Sequence, residues 1–92
     1  AAVHWYGRAA LRGEPNAQAG LARMLENGLG TGRDEVRALA WYGLAAAAGH
    51  PGAQRDGAIL AQRMDGTDID VAEAMMRAWR PGQDLGAPGS TP

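Results

Sequence analysis

Residues 41–49 read Trp41-Tyr42-Gly43-Leu44-Ala45-Ala46-Ala47-Ala48-Gly49, and residues 5–13 read Trp5-Tyr6-Gly7-Arg8-Ala9-Ala10-Leu11-Arg12-Gly13. The Trp-Tyr-Gly triplet, the Ala-Ala pair and the final Gly recur at a spacing of 36. The match continues outward at the same spacing. Pro15 pairs with Pro51, Ala17-Gln18 with Ala53-Gln54, Gly30-Thr31 with Gly66-Thr67, and Asp34 with Asp70. A period of this length belongs to stacked helical hairpins, in which each unit buries its apolar face against its neighbours.

Local signals divide the chain into helices. The first is expected over about residues 2–12 and is ended by Gly13, which suits the left-handed residue after a helix. Pro15 suits the first turn of the next helix, which runs to about Asn27 with Ala17, Leu21, Met24, Leu25 and Gly28 on one stripe. Gly28-Leu29-Gly30-Thr31-Gly32 reads as a turn. Asp34 can cap a third helix over about residues 35–48, stopped by Gly49. His50-Pro51 leads into a fourth, over about residues 52–64. Asp65-Gly66-Thr67 breaks the chain again, and Thr67 or Asp68 caps a last helix over about residues 69–80. In residues 81–92, eight of the twelve are Gly, Pro, Ser or Thr. They read as a flexible, disordered tail.

Composition supports this outline. The chain has 92 residues, 46% of them apolar, so it carries one small domain. Alanine dominates that fraction, Phe is absent, and three Trp and two Tyr hold all the aromatic weight. Alanine is the best helix former and lets helices approach closely. No run of Val, Ile and Thr suggests a strand. Nine Arg oppose ten Asp and Glu, Lys is absent, and the net charge is −1. That balance gives no drive toward nucleic acid or an anionic membrane. With no Cys there is no disulfide, thiolate nucleophile or Cys-based zinc site. No apolar run approaches the roughly 20 residues that span a bilayer. No signal peptide is visible. The composition suggests a GC-rich bacterial genome, with the cytoplasm and the periplasm fitting equally well. The chain opens without Met, which fits a processed form or a piece of a longer protein.

The repeat unit resembles the Sel-one-like repeats (SLR), relatives of the tetratricopeptide solenoids. The residues that carry the resemblance are Ala17, Leu21, Ala22, Leu25, Gly28, Gly30, Asp34, Ala38, Trp41, Tyr42, Ala45, Ala46 and Gly49. Ala22 and Leu25 replace the Gly and Tyr of the family's first helix. The ordinary tetratricopeptide repeat is the alternative, and its usual period of about 34 is shorter than the one here. The resemblance implies an all-α fold, an α-α superhelix or helical-hairpin solenoid of about five helices. Residues 1–80 divide into a half repeat (1–13), a full repeat (14–49) and a divergent closing repeat (50–80), followed by the tail 81–92. In the closing repeat Gly57 stands where Leu is expected, Met64 stands where the turn glycine is expected, and the Trp-Tyr pair is missing. In the stack, Trp41 and Tyr42 fill the wide gaps between hairpins, while the alanine pairs admit close helices.

Signals for chemistry are weak. His4 and His50 are the only histidines and are not equated by the repeat, so each reads as a surface or turn residue. Asp56, Asp65, Asp68, Asp70 and Glu73 lack the ligand spacing of a calcium loop, and Asp68 and Asp70 suit a helix start. The glycine run before the third helix follows no strand and has no Lys, unlike a phosphate loop. No Ser-His-Asp set can be assembled. Some cysteine-rich members of the wider family are credited with enzymatic activity, but their cysteines are absent here. The aromatic residues could stack nucleic-acid bases, yet Trp5-Tyr6, Trp41-Tyr42 and Trp79 occupy core positions of the repeat.

The expectation is therefore a protein–protein interaction scaffold or adaptor with no catalysis and no cofactor. Its partner is a protein or peptide, with no nucleic acid and no membrane. A helical-repeat stack presents a concave face lined by the first helix of each hairpin, and Arg23, Glu26, Arg55 and Arg63 are its candidate partner-binding residues. The alternative is a self-associating structural module or a fragment of a longer repeat protein. The opening half repeat would expose Trp5 or Tyr6 beside its alanines and could form a homodimer through that end.

Overall fold

A computed structural model describes the backbone of residues 2–82 and the side chains of residues 5–82. Five helices follow one another: α1 (Ala2–Leu11), α2 (Pro15–Asn27), α3 (Glu35–Ala47), α4 (Pro51–Ala61) and α5 (Gly66–Ala78). No strand occurs among the described residues. The fold is the all-α helical-repeat superhelix. It stays about as wide as it is long, 29 × 29 × 25 Å, because five helices do not develop a long solenoid axis.

Three helices end in the same way. Gly13, Gly28 and Gly49 take positive φ of 88°, 69° and 99°. Behind each, an amide reaches back to a carbonyl of the last turn: Glu14 to Ala9 at 3.3 Å, Leu29 to Met24 at 2.9 Å and His50 to Ala45 at 3.0 Å. This is the Schellman arrangement that a left-handed glycine permits. In the glycine-rich turn, Gly30 also has positive φ and Gly32 does not. Helix α4 ends differently. Met64 holds the place of the turn glycine, and the chain tightens into 3₁₀-type bonds from Arg63 to Leu60 and from Met64 to Ala61.

Helix starts also follow local chemistry. The Asp34 side chain accepts the Arg37 amide at 3.0 Å, as expected of a cap. His50 caps α4 in the same manner, its Nδ1 accepting the Ala53 amide at 3.0 Å, with Pro51 in the first turn. Helix α5 corrects the sequence expectation. It starts at Gly66, about three residues early, with extended Asp65 as its N-terminal flank and neither Thr67 nor Asp68 capping it. The Asp65 carbonyl already accepts the Ile69 amide at 3.0 Å, so the helical ladder includes both residues. Helix α4 likewise stops at Ala61 rather than near residue 64.

The core is alanine and leucine around one aromatic pair. Trp41 and Tyr42 are buried, with Ala10, Ala22, Ala38, Ala40, Ala45, Ala53, Leu60 and Ala72 sealed around them. Helix α3 sits in the middle and touches α2, α4 and α5, while α1 packs on α2. Trp79 meets the edge of Trp41 with ring centroids 6.1 Å apart and planes at 72°. The first Trp-Tyr pair departs from its core reading. Trp5 is 68% exposed and Tyr6 39%, because α1 has a helix on one side only among the described residues. The Tyr6 ring lies against Gly20 of α2, where a Cβ would come within 3.0 Å of it. Beside them Ala9 is half-buried and Ala10 fully buried.

The Gln18–Gln54 pair also divides. Gln18 is buried and donates from Nε2 to the Ala10 carbonyl at 3.3 Å, joining α2 to α1. Gln54 is exposed. Beyond α5, the Gly82 amide donates to the Leu11 carbonyl at 2.6 Å. Residues 83–92, most of the expected tail, lie outside the described residues, as does the side chain of His4.

Candidate functional site

The four residues expected to line a binding face divide into two kinds. Arg23 on α2 and Arg55 on α4 are exposed. Arg55 has 77% of its side chain open to solvent and lies 3.6 Å from Asp56. Glu26 corrects the expectation that it faces solvent, since only 18% of its side chain is exposed. Its Oε1 accepts the Tyr42 hydroxyl at 2.8 Å, and its Oε2 accepts Arg63 Nη2 at 2.6 Å. Arg63 also lies 3.8 Å from Glu35, which pairs with Arg33 at 2.9 Å. Glu26 and Arg63 thus tie the last turn of α2 to the turn after α4.

This network explains the state of Tyr42. Burial pushes its phenol well above the ordinary range, and the hydrogen bond to Glu26 and the negative charges of Glu26 and Asp56 push in the same direction. The Arg23 charge opposes them. The hydroxyl therefore stays protonated and serves as a fixed donor. Sequence reading placed Tyr42 in the core and missed this bond. The available signal was chemical: a buried phenol needs a partner for its hydroxyl, and Glu26 is a carboxylate in the facing helix.

A second feature lies between α4 and α5. These two helices barely touch, and α5 leans instead on α3. The space left is a groove of about 260 Å³, floored by Leu39, Tyr42, Gly43 and Ala46 of α3. Gly57, Ala58 and Ala61 form its α4 wall, and Ile69, Glu73 and Met76 its α5 wall. The groove follows from the repeat. Gly57 and Ala61 stand where the full repeat has Leu21 and Leu25, both buried. At Gly57 a Cβ would come within 3.1 Å of Tyr42 Cβ, a tight contact that a larger residue could take up only if Tyr42 shifted slightly.

Among the described residues, no three His, Asp or Glu side chains gather in a way that could hold a metal ion. No described helix is long and apolar enough to cross a membrane.

No curated protein and no solved structure matches the chain at a significant level. The family model of the Sel1 repeat matches residues 1–14 and 15–50. Repeats of this family generally mediate contacts between proteins and act as scaffolds rather than catalysts. The two matched segments cover more than half of the sequence and meet at the turn between α1 and α2, so the chain belongs to the Sel1 repeat family.

Proposed function

We propose that the chain is an interaction scaffold, an adaptor that holds a peptide segment of a protein partner on the face formed by α2 and α4 and performs no catalysis. The observation that supports this reading is the pairing of Glu26 with Tyr42 and Arg63. It matches the carboxylate of that face to Arg63 and leaves Arg23, with Arg55 beside Asp56, as exposed guanidinium groups. Guanidinium groups on a rigid helical scaffold match carboxylates in a bidentate way, so the partner segment is acidic. The Glu26–Arg63 bridge serves this face by fixing the ends of α2 and α4 relative to each other.

The test is selection from a random peptide-display library against the purified chain. Enriched peptides should carry Asp and Glu. Their affinity, read by fluorescence anisotropy, should fall about tenfold or more in the Arg23→Glu/Arg55→Glu variant. Peptides without acidic bias, or binding that ignores the double reversal, would remove this face from consideration.

A further inference from the structure

Helix α1 and the α4–α5 groove are complementary to one another. Trp5, Arg8 and Arg12 are exposed at i, i+3 and i+7, which places Trp5 and Arg8 on one face of α1 and Arg12 in the turn that continues past its end. Residues 1–13 carry these two Arg and no carboxylate. Among the described residues Arg12 is held by an exposed contact to Glu14 at 3.2 Å, which a partner could displace at little cost. The groove has the opposite character. Its walls are apolar apart from Gln54 and Glu73. Glu73 is the carboxylate that lines it and is exposed, while Asp65, Asp68 and Asp70 are exposed in and just before α5 outside the lining, between Arg63 and Arg77.

We propose that the groove between α4 and α5 receives helix α1 of a second copy of this chain, with Trp5 entering it and Arg8 and Arg12 lying toward Glu73 on its α5 wall. Size supports the choice of occupant. At about 260 Å³ the groove is below the usual range of small-molecule pockets, roughly 300–1,000 Å³, and suits one large side chain. An exposed indole is the strongest single anchor that a helix can offer to such a groove. Guanidinium groups beside the indole complement the charge of Glu73 on the groove wall. The docking is of the helix-in-groove kind.

The contact is heterologous, because the helix of one copy enters the groove of the next. Each added copy brings another groove and another helix, so growth does not stop at two. One helix face in one groove buries less than a standard interface of roughly 1,600 Å², so association is weak and rises with concentration. The face carrying Arg23 and Arg55 takes no part. Failure of this contact therefore leaves the proposed function untouched, and loss of peptide binding leaves this contact untouched.

Light scattering over a concentration series tests the idea on the whole chain. The weight-average mass should climb past twice the 9.6 kDa monomer without a plateau at the dimer. Trp5→Ala removes the entering side chain. Ala58→Leu, at an exposed helical position on the groove wall, fills the groove. Each should weaken association about tenfold or more. Mixed in equal amounts, the two variants should form pairs and nothing larger, since one supplies an intact groove and the other an intact α1. Glu73→Arg, at an exposed position, provides a second groove variant and should act like Ala58→Leu. A parent that stays monomeric at every concentration overturns the proposal. So does an Ala58→Leu chain that associates like the parent, which would indicate a symmetric α1-to-α1 contact. A mixture that fails to pair does so too, provided circular dichroism shows both variants folded.

Discussion

The two hairpins of this chain share a period but differ in how they close. In the full repeat, α2 presents Leu21 and Leu25 to α3, and α3 answers with Trp41 and Tyr42; all four are buried. In the closing repeat, the corresponding positions of α4 are Gly57 and Ala61, and α5 buries only Ala72 completely. Both hairpins are helical, so alanine content and turn residues suffice to make helices. Bulk at two positions decides whether the helices then meet. Where it is missing, α5 falls back on the middle helix through Met76 and Trp79, and a groove remains.

The largest way to break this comparison is Trp41→Ala. It removes the side chain that the first hairpin buries and that Trp79 leans on, and should cost about 3–5 kcal/mol in denaturant unfolding. That is a large share of a small domain's stability. A variant that melts with the parent would mean the middle helix is not the hub.

Gly43→Leu should act on the closing hairpin and leave the packing of α2 on α3 intact. A Cβ at Gly43 would land on the Cε and Sδ atoms of Met76, and a whole isobutyl group would push α5 away from α3. The expected cost is about 1–3 kcal/mol. Hydrogen exchange should report it as lost protection in α5 with α2 unchanged. Met76→Ala in the same protein should restore part of that protection by making room.

Ala61→Leu sharpens the contrast in the other direction. It returns to α4 the bulk that Leu25 gives α2, and should raise stability by about 1 kcal/mol through added apolar burial. Unchanged stability, together with unchanged exchange in α5, would show that the gap has a cause other than side-chain volume.

The smallest effect expected is a response to alkali. The full repeat has a buried phenol, whereas Ala78 stands at the matching position of the closing repeat. Because folding raises the Tyr42 pKa, the folded state holds the phenolic proton after the unfolded chain has released it. Its contribution is fully present below about pH 10, the unfolded value, and is lost as pH rises from there toward the folded value. Stability should decline in that range, and Tyr42→Phe should flatten the decline.

Much of this was legible in the sequence, because repetition carries the information. Two copies of Trp-Tyr-Gly and Ala-Ala at one spacing located the hairpins, and Gly13, Gly28 and Gly49 marked their ends. What remained hidden was context. Trp5 and Trp41 are the same residue in the same motif, yet one is buried and the other open, because burial depends on which helix lies alongside. Gln18 and Gln54 divide for the same reason. Asp65 and Gly66 read as a break, but α5 begins at Gly66, with the Asp65 carbonyl accepting its first bond. The Tyr42–Glu26–Arg63 link joins residues distant in sequence, and neither period nor composition encodes such a pairing. The absence of Leu at residue 57 was visible from the repeat, whereas the groove it opens could not be seen without the position of α5.

The bond from Gly82 to the Leu11 carbonyl changes how such an array comes apart. A linear stack unzips from either extremity, each unit leaving independently of the far one. Here the segment beyond the last helix is tied to the end of the first, and Trp79 sits within reach of Gly13. The topology is that of a clasped bracelet rather than a ladder. Opening the clasp frees α1 and α5 together, so the two outermost helices should lose their structure in one event.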